Sequence, residues 1–136
     1  MNKYSIKSGK ENMQFDRIKE LLKQTYWADN REESIIRKSI DNSVSYGAFL
    51  KDNNKQIAFA RVITDFATTF YLCDVIVDEN YRGMGVGKEL VKTIINNDEI
   101  GKLRGVLTTS DAHSLYKKFG FETESDILMG KKSNLK

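Results

Sequence analysis

The chain has 136 residues, a hydrophobic fraction of 40% and a formal net charge of +3. That length suits one domain with one core, and no apolar run approaches the roughly 18 residues of a membrane span. The charge suits an anionic ligand but is too mild and diffuse to indicate nucleic acid, and a single cysteine, Cys73, excludes an internal disulfide.

The opening stretch Met1-Asn2-Lys3-Tyr4-Ser5-Ile6-Lys7 lacks the apolar core of a signal peptide. A cytoplasmic location is therefore expected, with Cys73 as a buried thiol in a strand. Proline is absent, so glycine and asparagine must supply the turns.

Residues 3–7 predict a short first strand. Asn12 is placed to cap a helix running to about Thr25, because Phe15, Ile18, Leu21 and Leu22 share one face. Tyr26 and Trp27 then present two large rings, read first as core packing and second as the wall of a pocket. Asn30 and Glu33 have capping-box spacing ahead of a second helix with an Ile35, Ile36 and Ile40 stripe. Arg31, Arg37 and Lys38 fall on its solvated side, with a grip on an acidic substrate group as the alternative reading of Arg31.

From Val44 the period changes to two, through Tyr46, Ala48 and Leu50. Lys51 to Lys55 is turn chemistry. Two further strands, Ile57 to Thr64 and Thr68 to Val77, complete an antiparallel meander with Asp65-Phe66-Ala67 between them. Asp74 alternates there with Phe70, Leu72 and Ile76. A carboxylate among apolar neighbours needs a partner, such as Arg61 on the adjacent strand, or a wet cleft.

The stretch Val75-Ile76-Val77-Asp78-Glu79-Asn80-Tyr81-Arg82-Gly83-Met84-Gly85-Val86-Gly87-Lys88 organises the chain. It runs from a β-branched strand through an acidic turn into a glycine-rich loop that opens a helix with Val86, Leu90 and Ile94 on one stripe. Amides at a helix start lack intrahelical partners and sit at positive potential, so the natural guest is a phosphate or pyrophosphate. A P-loop would need Ser or Thr where Glu89 stands, and a Rossmann loop would need GxGxxG rather than GxGxG.

Leu103 to Thr109 reads as another strand. Asp111 is a candidate N-cap for a helix that Gly120 terminates, and Phe121 begins a last strand continuing to Ile127-Leu128-Met129. His113 stands without Cys/His companions, so no metal site is expected.

Arg82, Gly85 and Gly87 resemble the acyl-CoA pyrophosphate loop of the GCN5-related N-acetyltransferase (GNAT) family. Ala112, Tyr116 and Gly120-Phe121 resemble the second signature of that family, in the expected order. The resemblance implies an α+β GNAT fold over residues 1–136, a single acyl-CoA N-acyltransferase domain. Its central sheet would be mixed and mostly antiparallel, with six to seven strands flanked by about four helices.

The resemblance also implies a direct transfer from acetyl-CoA, the cosubstrate, to the primary amine of a small molecule, amino acid or peptide. The backbone of Val75, Ile76 and Val77 would hold the pantetheine arm, and the amides of Arg82, Gly83, Met84, Gly85, Val86, Gly87 and Lys88 the pyrophosphate. Many members place a pantetheine-binding Asn near the start of this helix; here Thr109, Ser110 and Asp111 stand in that region instead, with Asp111 as the candidate contact. Tyr116 would be the acid that protonates the leaving thiolate, and Asp74, or a water it holds, the leading base candidate, with Asp65 second. Tyr26, Trp27, Arg31 and Asp74 would border the acceptor pocket. No metal, membrane or nucleic-acid partner is expected, and the state is a monomer or homodimer. The alternative is a catalytically silent acyl-CoA-binding sensor or assembly module.

Overall fold

Residues 3–135 are described by the computed structural model; Met1 and Asn2 of the opening stretch and Lys136 of the tail lie outside the described residues. Tyr4–Ser8 forms β1, Phe15–Lys23 α1, Glu33–Asp41 α2, Val44–Leu50 β2, Gln56–Thr64 β3 and Thr69–Val77 β4. Val86–Ile95 then forms α3, Arg104–Val106 β5 and His113–Lys117 α4. The strands lie side by side in chain order. β1 to β4 are antiparallel neighbours, and β5 joins β4 in parallel after the α3 crossover.

Three layers result. The period-3.6 stripe of α3 buries Val86, Leu90, Val91 and Ile94 against Tyr46, Ala48, Ala58, Ala60, Val62, Phe70 and Leu72 of the sheet. On the opposite face α1 and α2 bury Ile18, Leu21, Leu22, Ile36 and Ile40 against Phe59 and Ile76. Each such large side chain contributes about 1.5–3 kcal/mol on leaving water. That exceeds the few tenths per residue of helix propensity, so packing rather than local preference fixes where these short helices lie.

One irregularity positions the site. Phe59 pairs with Ile76 and Arg61 with Cys73, so two residues, Asp74 and Val75, oppose Ala60 alone. This is a β-bulge, with Asp74 at a φ of 55°. The extra residue reverses the alternation of β4: Phe70 and Leu72 face α3, whereas Ile76 faces α1 and α2. Asp74 therefore does not share a face with Phe70 and Leu72, as strict alternation predicts. It lies with Arg61 on the α1/α2 side.

The sheet has five strands among the described residues, not six to seven. The expected strand from Phe121 to Met129 does not form. Five consecutive polar residues, Glu122 to Asp126, interrupt it, Asp126 takes a φ of 69°, and Ile127, Leu128 and Met129 find no sheet face to cover them. β5 is also shorter than its Leu103 to Thr109 expectation.

The caps differ as well. Asn12 ends a 3-10 turn rather than starting α1, and the Asn30–Glu33 box gives way to Glu32 at the N-cap of α2. Asp111 does not cap α4; the Thr109 hydroxyl accepts the Ala112 amide at 3.0 Å instead. No helix among the described residues is long and apolar enough to cross a membrane.

Candidate active site

The acidic turn before the glycine loop is a buried anchor. Asp78 is buried, its amide donates to Ile57 O at 2.8 Å, and its Oδ1 accepts the Asn80 amide at 3.0 Å. Arg17 Nη2 of α1 donates to Asp78 Oδ2 at 2.6 Å, while Arg17 Nε donates to Gln56 O at 2.9 Å. Burial alone would raise the Asp78 pKa; the Asn80 amide and Arg17 outweigh it and hold the carboxyl below its ordinary value. Arg17 thus ties α1, β3 and the root of the loop together. Spacing gave no hint of this pair, because its members are 61 residues apart.

Beyond the anchor, Arg82 Nε donates to Val77 O at 3.1 Å. Gly83 and Gly85 both have positive φ, 84° and 76°, and Gly85 is the N-cap of α3. A Cβ at either glycine would meet nothing within 4 Å, so the space beside the loop is open. Among the described residues the amides of Gly83, Met84, Gly85, Val86, Gly87 and Lys88 have no acceptor in the protein. Their N–H groups and the start of α3 give the space a positive potential. Arg82, Met84 and Lys88 are exposed at its rim.

The loop adjoins an unpaired strand edge. β4 and β5 pair only at Thr69–Arg104, Phe70–Gly105 and Tyr71–Val106. From Leu72 to Val77 the β5-side edge of β4 has no strand beside it, which leaves a gap flanked by Val75, Ile76 and Val77. Val75 and Val77 pack on the same core as Tyr116 of α4.

The Tyr116 ring is buried, in edge contact with Phe121 at 6.0 Å between centroids. Its hydroxyl has no protein partner and is not sealed from solvent. Burial first, and the negative charge of Asp111 second, push the phenol above its ordinary pKa of 10.0. Asp111 itself is exposed. A cavity of about 820 Å³ lies beyond Tyr116, lined by Phe70, Val106, Phe121 and Leu128 among others; it touches neither the glycine loop nor Val75 to Val77. It lies on the loosely covered side of β5, with Tyr116 and Phe70 of β4 in its wall.

Asp74 sits at the centre of a cluster on the α1/α2 face. Its Oδ2 accepts Arg31 Nη1 at 2.8 Å and Arg61 Nε at 3.0 Å, and its Oδ1 accepts the Trp27 indole at 3.2 Å. The carboxylate side chain is 3% exposed. Burial alone would raise its pKa; Arg31, then Arg61, outweigh that and hold it below its ordinary value. The expected pairing with Arg61 is present, and Arg31 adds a second cation.

Tyr26 and Trp27 are not core residues: they are 71% and 44% exposed, stacked edge-to-face at 5.1 Å. After α1 the chain turns on the Thr25 amide and hydroxyl, both bonded to Leu22 O, and Ala28 rather than either ring enters the core. Tyr26 Oη and Ser110 Oγ are 2.8 Å apart, which links this wall to the segment before α4.

The remaining chemical candidates are occupied otherwise. Asp65 accepts the Thr68 amide, the Thr68 hydroxyl and the Ala67 and Thr69 amides, which hold it well below the carboxylate range and make it a turn-builder. Burial pushes the Cys73 thiol up to about 11, so it carries little thiolate at neutral pH. His113 is exposed at the start of α4.

Comparison with known proteins fits this geometry. The profile of the acetyltransferase (GNAT) domain matches residues 45–123. The chain is 30% identical over 105 residues to GCN5-related N-acetyltransferase 2, chloroplastic, of Arabidopsis thaliana, an alignment covering 71% of this chain and 39% of that protein. The chain thus spans well under half the length of that relative. A crystal structure of a GNAT-family acetyltransferase from Xanthomonas campestris pv. campestris superposes with a TM-score of 0.90 at 34% identity, covering 98% of this chain and 95% of that one. An acetyltransferase from Clostridium acetobutylicum, solved with acetyl-CoA, shares the fold with a TM-score of 0.69 at 16% identity, covering 94% and 96% of the two chains.

Proposed function

This chain belongs to the GNAT family of acetyltransferases, and from that premise we propose that it transfers acetyl from acetyl-CoA directly to the primary amine of a small molecule, amino acid or peptide. The observation that carries the reading is the run of amides from Gly83 to Lys88, unpartnered among the described residues and open to solvent, beside the unpaired edge of β4. Acetyl-CoA supplies an activated thioester and a diphosphate. The open space beside the loop suits the diphosphate in sign, with Lys88 adding positive charge at the rim. The main chain of Val75 to Val77 suits the pantetheine arm as an added strand, and an amide there is placed to polarise the thioester carbonyl. Asp111 borders the same arm.

Tyr116 is the acid of the proposal. Its phenol holds its proton at neutral pH and has no competing partner. A free thiol has a pKa near 8.5, below that of the phenol, so Tyr116 acts chiefly by donating a hydrogen bond to the departing sulfur.

Asp74 stays in the site, but in a different role. A base must accept a proton from an ammonium whose pKa is near 10. The carboxyl of Asp74 is held below 3.8 and its oxygens already accept three donors. That transfer is strongly uphill. In this reading the amine loses its proton to water and binds as the free base, while Asp74 fixes Trp27, Arg31 and Arg61 at the acceptor wall.

Residues 1–136 act as one acyl-CoA N-acyltransferase domain, as a monomer or homodimer, in a cytoplasmic setting consistent with the lone thiol of Cys73. The test is thiol release from acetyl-CoA over a broad amine panel, with direct measurement of acetyl-CoA binding. Release with at least one amine supports transfer. Tight binding with no release for any amine identifies a CoA-binding module instead, and no binding removes the reading altogether.

A further inference from the structure

The cluster at Asp74 has an unbalanced charge. Two guanidinium groups, Arg31 and Arg61, meet one carboxylate, and neither has another acidic partner within 4.0 Å among the described residues. The sum is one net positive charge in a half-buried place, where Coulomb interactions are stronger than in water. Asp74 offers no free surface to a cation, because its oxygens are taken and its side chain is 3% exposed.

The guanidinium groups do have capacity left. Arg31 uses Nη1 alone, and Arg61 uses Nε with a long Nη1 contact of 3.4 Å to Ser43 Oγ. Their other nitrogens have no acceptor among the described residues, and none is sealed from solvent there. Arg31 and Arg61 side chains are 22% and 11% exposed, so they are held in place yet reachable.

The surroundings form a wall rather than open water. Trp27 is pinned by its indole bond to Asp74. Further along the same face, Ile63 and Tyr71 are cross-strand partners with exposures of 43% and 37%. Asp74 is also the residue before Val75, where the proposed thioester site begins.

We propose that the acceptor amine of this enzyme carries an anionic group, a carboxylate or a phosphate, which docks on the free guanidinium donors of Arg31 and Arg61 against Trp27. This inference rests on the acetyl-transfer reading and names its substrate class. A planar fork is the geometry that recognises either anion in two-point fashion. A polycationic acceptor is disfavoured by the same net charge.

The experiment compares matched acceptors by thiol release. One pair is phenylalanine and 2-phenylethylamine, which differ by a carboxylate. The other is a hexosamine and its phosphate ester. The expected result is a kcat/KM at least about tenfold higher for the anionic member of one pair, and which pair responds identifies the anion. Arg31→Gln should bring that ratio towards one with the KM for acetyl-CoA unchanged. Asp74 keeps Arg61 in that variant, so the cluster becomes neutral without orphaning a carboxylate. Arg31→Lys should restore part of the preference. Equal or better turnover of the members that lack the anionic group, or of a diamine, would overturn the inference and leave acetyl transfer standing. Acetyl-CoA binding with no turnover of any amine would overturn both.

Discussion

Gly85 and Gly87 are two residues apart, one capping α3 and one in its first turn, and should respond oppositely to alanine. Gly85 has a φ of 76°, and a methyl group there meets no protein atom within 4 Å. Its cost to folding is the left-handed backbone alone, about 1–2 kcal/mol for an L-residue. For a domain of this size that lowers Tm by about 3–8 °C. Gly87 lies inside the first turn of α3, has no positive φ, and its methyl would meet Val77 Cγ2 at 3.5 Å, an ordinary contact. Gly87→Ala should be neutral or stabilise by up to about 1 kcal/mol through helix propensity.

The functional effects should diverge further. If the diphosphate lies on this turn, a methyl at Gly85 and the strained backbone beneath it disturb its seat, so CoA affinity should fall by about tenfold or more, equivalent to about 1.4 kcal/mol. Pantetheine, which lacks the diphosphate, should bind both variants as it binds the parent chain. Calorimetric titration with CoA and with pantetheine, alongside thermal melts, checks both halves. Unchanged CoA affinity in Gly85→Ala, or an equal loss for pantetheine, would refute the assignment of this turn to the diphosphate.

Tyr116→Phe should lower kcat by about a hundredfold, at the low end for losing one hydrogen-bond donor to developing charge, with little change in CoA affinity; an unchanged kcat removes the phenol from the chemistry. Arg17→Met leaves the buried Asp78 carboxylate without its cation and should cost about 3 kcal/mol in urea denaturation, the lower end for a broken buried pair because Arg17 is 15% exposed. Asp74 and Asp78 both have depressed folded-state pKa values. Their stabilisation is therefore complete above the unfolded value of about 3.9 and is lost as pH falls through the folded values. The urea midpoint should drop steeply below about pH 4, and the drop should flatten in an Asp74→Asn, Asp78→Asn double variant. If water rather than Asp74 takes the amine proton, log kcat/KM should climb with pH up to the pKa of the acceptor, with no inflection moved by Asp74→Asn.

Local chemistry was legible in the sequence. The β-branched run into GxGxG named its own strand, turn and helix, because glycine conformation and helix-start amides act within a few residues. The α3 stripe and the meander were legible for the same reason, as short periods. What was not legible depends on distant partners. The bulge at Asp74 shifts one residue and reverses a face, and nothing in Cys73-Asp74-Val75 announces it; the bulge is visible only in the pairing of Arg61 with Cys73. The Arg17–Asp78 pair spans 61 residues. Tyr26 and Trp27 have core-like side chains, yet the turn at Thr25 directs Ala28 inward instead. Ile127-Leu128-Met129 has strand-like composition, but a strand needs a neighbour and a face, and the polar run before it supplies neither.

The outer border of the sheet has a consequence for solubility. β5 leaves one flank of main-chain groups open to any passing chain, which ordinarily invites polymerisation. Here the flank is only Arg104-Gly105-Val106. It bears Arg104, whose guanidinium pairs with Glu124 at 3.1 Å, and its central residue has no side chain because the Phe70 ring occupies the space a methyl would take. Three rungs, one charged and one bare, give an intruding segment little to hold. Lengthening β5 or replacing Arg104 with a β-branched residue would therefore turn a harmless margin into an adhesive one.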